Sequence, residues 1–174
     1  MRRSWYVVAV LALFGALLGA PGSAAAEAGA QRWVTTMGES QDMCIGVAGG
    51  KMVNGAKVIL WQCSGAADQS WLPIPTNPYD PGYYQIQNWK NPSKCLSVPN
   101  NSTARGVQLI IWDCQYAAGQ LWDARYLNEN WVNLKNLGSG LMVANAGGRT
   151  ANGTPIIQWT PNDCCDQIWI HRDA

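Results

Sequence analysis

Three copies of one residue pattern, in register without an insertion, constrain the fold of this chain more than any other feature. Counting from Cys44, Cys95 and Met142, a Gly follows eleven residues on (Gly55, Gly106, Gly153) and a Trp seventeen on (Trp61, Trp112, Trp159). Nineteen on come Cys63, Cys114 and Pro161, and then Gln69, Gln120 and Gln167, each two residues before Trp71, Trp122 and Trp169. Self-similarity at a period of this length marks a repeat architecture. Each copy reads as β structure. Val58-Ile59-Leu60-Trp61, Leu109-Ile110-Ile111-Trp112 and Ile156-Ile157-Gln158-Trp159 are β-branched and aromatic runs. Asn54-Gly55 and Asn152-Gly153 precede two of them as tight-turn signals. No long segment has a helical period. Three all-β repeats are too few for a propeller and suit a closed β-trefoil, an all-β fold in which each copy supplies one lobe about a pseudo-threefold axis.

The first stretch is expected to be a leader. Arg2 and Arg3 precede an apolar run from Val7 to Leu18, followed by Pro21-Gly22-Ser23 and Ala24-Ala25-Ala26. This is the layout of a secretory signal peptide over residues 1–26, with a cut after Glu27 or Ala28 equally consistent. The run is too short for a spanning helix and no later segment matches it, so a secreted, extracellular protein without a membrane span is expected. Of the twelve basic residues, setting aside Arg2 and Arg3 leaves ten against eleven acidic, a net charge of −1 from residue 27 onward. A near-neutral chain with no basic block gives no electrostatic reason to bind nucleic acid. Trp, Asn, Gln and Gly in a weakly charged chain suit a neutral, hydroxyl-rich ligand.

Gln69-Ser70-Trp71, Gln120-Leu121-Trp122 and Gln167-Ile168-Trp169 are three Q-x-W motifs. With the Cys-to-Cys spacing before them, residues 30 to 174 resemble the ricin B-chain-type lectin family. One domain over 27–174 is expected, with repeats at roughly 30–77, 78–127 and 128–174. The equivalent pairs Cys44–Cys63 and Cys95–Cys114 are then the expected disulfides, each stabilising by roughly 3 kcal/mol on the loop-entropy model. For Cys164 and Cys165 a vicinal bridge is favoured, with free thiols or bonds to a second chain as alternatives. Trp71, Trp122 and Trp169 are read as core, and Gln69, Gln120 and Gln167 as satisfying backbone groups of the turn.

Sugar binding needs an aromatic platform for the C–H face of the ring and paired donors and acceptors for its hydroxyls. The resemblance makes Trp61, Trp112 and Trp159 the platforms, and strand alternation turns Trp61 away from Val58 and Leu60. The polar half departs from the family. Its working sites carry an Asp two residues after the first Cys position, where this chain has Gly46, Ser97 and Ala144. Its frequent Gln two residues before the platform is Ile59, Ile110 and Ile157 here. A hydrogen bond to a charged group contributes roughly 1.5–3 kcal/mol, so each pocket should be weak. The family's acidic position before the Q-x-W Gln holds Asp68 and Asp166 but Gly119 in the second repeat. Asn145, Gln158 and Asp163 are further polar candidates in the third repeat. The expected ranking is third pocket, first, then second, although each carboxylate also reads as a solvated turn residue.

No catalytic set, cofactor motif or metal-ligand spacing stands out. The single His171 lies three residues from the C-terminus, and no carboxylate pair recommends itself for glycosidase chemistry. The expectation is non-catalytic carbohydrate binding, weak per site and multivalent, with a protein-interaction trefoil, its sugar pockets decayed, as the alternative.

Overall fold

A computed structural model describes residues 29–35, 37, 41–77, 82–162 and 164–173. The expected signal peptide and Asp163 lie outside them. The described residues form twelve strands: β1 (Gln31–Thr35), β2 (Met43–Val47), β3 (Val58–Gln62), β4 (Trp71–Pro75), β5 (Tyr84–Asn88), β6 (Asn91–Ser97), β7 (Ile110–Asp113), β8 (Leu121–Tyr126), β9 (Trp131–Asn136), β10 (Met142–Asn145), β11 (Ile156–Trp159) and β12 (Trp169–Asp173). One-turn 3-10 helices punctuate them, and none of the helices is long and apolar enough to cross a membrane.

Antiparallel pairing closes six strands into a ring. β1 pairs with β4, β4 with β5, β5 with β8, β8 with β9, β9 with β12, and β12 with β1. Closure leaves the barrel no free edge. The hairpins β2–β3, β6–β7 and β10–β11 are the other half of each lobe. This is the β-trefoil expected from the repeats.

The lobes are tied cyclically through the turns that the sequence marks with glycine. Gly55 donates its N–H to Ile111 O at 2.9 Å, Gly106 to Gln158 O at 2.8 Å, and Gly153 to Leu60 O at 2.8 Å. Each of these glycines has φ between 81° and 84°, a region a side chain disfavours. The turn of each lobe thus hydrogen-bonds the platform-bearing strand of the next.

The Q-x-W tryptophans lie in the core. Trp71, Trp122 and Trp169 are fully buried, beside Trp33, which stacks on Trp71 with ring centroids 6.1 Å apart. Their indole Nε1 groups donate to Ile45 O (3.0 Å), Leu96 O (3.1 Å) and Val143 O (3.3 Å). Burial of an aromatic with a polar handle requires such a partner. The Gln residues close the loop between platform and motif. Gln69 donates from Nε2 to Gln62 O and accepts from Ser64 N–H; Gln120 does the same with Asp113 O and Gln115 N–H, and Gln167 with Thr160 O and Asn162 N–H.

Cys44–Cys63 and Cys95–Cys114 are bonded. Cys164 and Cys165 are not bridged to each other, which corrects the vicinal disulfide favoured above: their sulfurs stand 3.4 Å apart as exposed thiols. Cys164 is extended while Cys165 opens a 3-10 turn, and the sulfurs stand beyond the roughly 2.05 Å of a disulfide bond.

Candidate functional site

Strand alternation places the three platform residues alike. In β3, Val58 and Leu60 are buried while Trp61 is 47% exposed; Trp112 and Trp159 are 40% and 37% exposed at the same place in β7 and β11. Two of the platforms lie against the glycine turn of the preceding lobe, whereas a β-carbon on Gly153 would meet nothing within 4 Å. A β-carbon on Gly55 would stand 3.9 Å from Trp112 Cζ3, and one on Gly106 would stand 3.4 Å from Trp159 Cζ3.

In the first lobe a cavity of about 230 Å³ joins Trp61 to Gly46, Ile59, Ser64, Ala66 and Asp68. Asp68 sits in the 3-10 turn Ala67–Gln69, half-buried, beside the backbone of Gly46 and Gly50. Lys90 reaches in from the β5–β6 turn and donates to Gly50 O at 3.0 Å. A β-carbon on Gly50 would stand 3.0 Å from Lys90 Nζ and 3.4 Å from Asp68 Oδ1. Trp61 therefore shares its cavity with an acceptor, and a cation stands beside Gly50 of the cavity wall. Lys90 carried no signal in the sequence, because it comes from a turn outside the repeat pattern.

In the second lobe a cavity of about 400 Å³ is lined by Trp112, Ser97, Asn100, Asn101, Gln115 and Gln120, among others. Gly119 occupies the place of Asp68, and the side chain of Asn101 fills the space: its Oδ1 accepts from Gly119 N–H at 2.8 Å. A β-carbon on Gly119 would stand 2.7 Å from that oxygen. Asn100 and Asn101 have φ of 54° and 50°, where the first lobe has Gly49-Gly50. Asn tolerates this left-handed region better than other side chains and adds an amide to the pocket. The second lobe is thus better equipped than its missing carboxylate suggests.

The third lobe is the reverse. Asn145 lies one residue beyond Ala144, so its side chain turns to the core, where the other lobes have Val47 and Val98. It is fully buried and spends its amide on Arg149 O at 2.7 Å. Gln158 is also fully buried, in the position of Leu60 and Ile111. It donates to Ser102 O (2.8 Å) and Ala104 O (2.7 Å) and accepts from Ser139 Oγ (2.8 Å). Neither residue reaches the outer face, which corrects both as sugar ligands; of the three residues that ranked the third pocket first, Asp163 lies outside the described residues. Asp166 remains, half-buried in the turn Cys165–Gln167. The Arg105 guanidinium carbon lies 5.6 Å from the centroid of the Trp159 ring, a cation–π contact.

Residues 76–159 match the family model described as ricin-type beta-trefoil lectin domain-like. Solved structures share the fold. A designed 3-fold symmetric protein, ThreeFoil, is 23% identical with a TM-score of 0.76, covering 83% of this chain and 99% of its own. An exo-β-1,3-galactanase from Clostridium thermocellum is 20% identical with a TM-score of 0.76; the likeness covers 84% of this chain and 30% of that one. The C-half of an earthworm R-type lectin in complex with GalNAc is 13% identical with a TM-score of 0.64, covering 84% and 99%. No curated protein matches at the sequence level.

Proposed function

We propose that this chain, which carries a ricin-type β-trefoil lectin-like domain, is an exported carbohydrate-binding protein that catalyses no reaction. The observation that carries this reading is the repeated exposure of Trp61, Trp112 and Trp159 at equivalent places, two of them on cavities with polar walls. A sugar ring would lay its C–H face on the indole. Its hydroxyls would meet Asp68 and Ser64 in the first lobe, and Asn100, Asn101 and Gln115 in the second. The carboxylate missing at Gly46, Ser97 and Ala144 keeps each site weak. Engagement of two lobes by one polysaccharide would raise avidity without new contacts.

The test is binding of residues 27–174 to a broad glycan array and to insoluble polysaccharides. Trp61→Ala and Trp112→Ala should each weaken binding several-fold and together abolish it. A chain that binds no glycan, or a double variant that binds as before, would overturn the reading.

A second reading, a protein-binding trefoil, is favoured by a separate observation. Tyr126, Leu127 and Trp131 are 45%, 47% and 43% exposed around the β8–β9 turn, away from the platform cavities. Apolar patches of this kind mark interaction surfaces. A partner retained by the platform double variant and lost on Trp131→Ala would support it.

A further inference from the structure

We propose that Cys164 is a covalent modification site beside the third platform, where thiol–disulfide exchange with a small disulfide places the added group over Trp159. The position follows from the threefold repeat. Ala66 follows Trp61 by five residues and lines the first cavity with it; Ala117 stands in the same relation to Trp112 in the second. Cys164 follows Trp159 by five. The backbone agrees. All three residues are extended and immediately precede a 3-10 turn, and each carbonyl accepts from the motif Gln: Gln69 N–H to Ala66 O at 2.9 Å, Gln120 to Ala117 at 2.8 Å, Gln167 to Cys164 at 3.0 Å. Two lobes present a methyl group at this place and the third presents an exposed thiol.

Cys165 stands beside that sulfur. The two Sγ atoms are 3.4 Å apart. The hydrogen bond with Cys164, aided by a little burial, pushes the Cys165 thiol above the usual thiol range. Exchange proceeds through a thiolate, and Cys164 is the site because its place in the repeat, rather than that of Cys165, is the one that lines the platform cavities of the other lobes. The Cys164 thiolate attacks one sulfur of a disulfide R–S–S–R. A Cys164–S–S–R bond forms as the original S–S bond breaks, and the leaving RS⁻ takes up the proton that Cys164 released. The Cys164 sulfur is oxidised and one RSH is the reduced product.

The chemistry at sulfur is independent of the sugar-binding reading, and only its consequence for a glycan rests on it. The test treats residues 27–174 with oxidised glutathione, maps the adduct by peptide mass spectrometry, and measures hydroxyl-radical labelling of Trp159, with Trp61 and Trp112 as internal references. The wild type and Cys165→Ala should carry the adduct on Cys164, and Cys164→Ala, which restores the residue of the other lobes, should carry none. Labelling of Trp159 should fall several-fold with the adduct, while Trp61 and Trp112 are unchanged, and a reductant should restore it. An adduct that forms on Cys165 as readily, no adduct at all, or an adduct that leaves Trp159 labelling unchanged would overturn the proposal. A protein that fails on every glycan would sink the sugar reading and leave these outcomes intact.

Discussion

Asn54 of the first lobe and Asp113 of the second hold each other in both directions: Asn54 Nδ2 donates to Asp113 Oδ2 at 2.6 Å, and Asp113 N–H donates to Asn54 Oδ1 at 2.9 Å. Lys94 bonds both side chains. The Asn54 hydrogen bond, with that of Lys94, holds the Asp113 carboxyl below its usual range. A carboxylate lowered in the folded state adds stability that is present above its unfolded pKa, about 3.9, and is lost as pH falls through the folded value. The melting-temperature gap between wild type and Asp113→Ala should hold steady from pH 7 to 5 and close as the solution is acidified below about pH 4. A gap independent of pH would refute the carboxylate's part.

The buried amide of Gln158 should be costly to remove even by a residue that its own fold uses there. Gln158→Leu copies Leu60 of the first lobe but strips a donor from Ser102 O and Ala104 O and an acceptor from Ser139 Oγ. The expected loss is about 1–3 kcal/mol, read from the urea midpoint. An unchanged or higher midpoint would mean that the loop around Ser102 relaxes to satisfy its carbonyls elsewhere.

Restoring the family's carboxylate in the first pocket should fail. A β-carbon on Gly46 would stand 2.9 Å from Gln69 Cγ, and Gln69 is pinned by its bonds to Gln62 and Ser64. Gly46→Asp and Gly46→Ala should both destabilise by about 1–3 kcal/mol, the usual range for overpacking, and neither should tighten glycan binding. A stable Gly46→Asp with higher affinity would show that the pocket needs only the acid.

Removing one staple should leave the trefoil folded but weakened. Cys44→Ala with Cys63→Ala should lower stability by about 3 kcal/mol. Reductant should lower the wild type further and leave Cys164 and Cys165 outside the effect, since they are not bridged. Equal stability of the double variant and wild type would place the hold in Gln69 and Trp71 alone.

What could be read from the sequence was whatever the three copies share. Trp71, Trp122 and Trp169 needed only the motif, and Trp61, Trp112 and Trp159 came from the family resemblance, with strand alternation in support. What escaped was specific to one lobe. Asn145 is displaced by a single residue from the family's acidic position, and on a strand that offset exchanges pocket for core. Asn101 replaces a missing acid from a different loop, and Lys90 arrives from outside the repeat, so neither lies in the register where an acid or cation would be sought. The state of Cys164 and Cys165 escaped because the other two repeats have alanines at both places and so give no pairing to copy.

The pairing of β1 with β12, Gln31 opposite Asp173, has a consequence for connectivity. The first and last strands of the trefoil lie side by side in one ladder of the ring, so the barrel has no strand that must come first. A short linker from 173 to 31 and a new opening in the exposed turn 127–130 would give a circular permutant with every strand pairing intact. In such a permutant the third lobe would be made first and the second last.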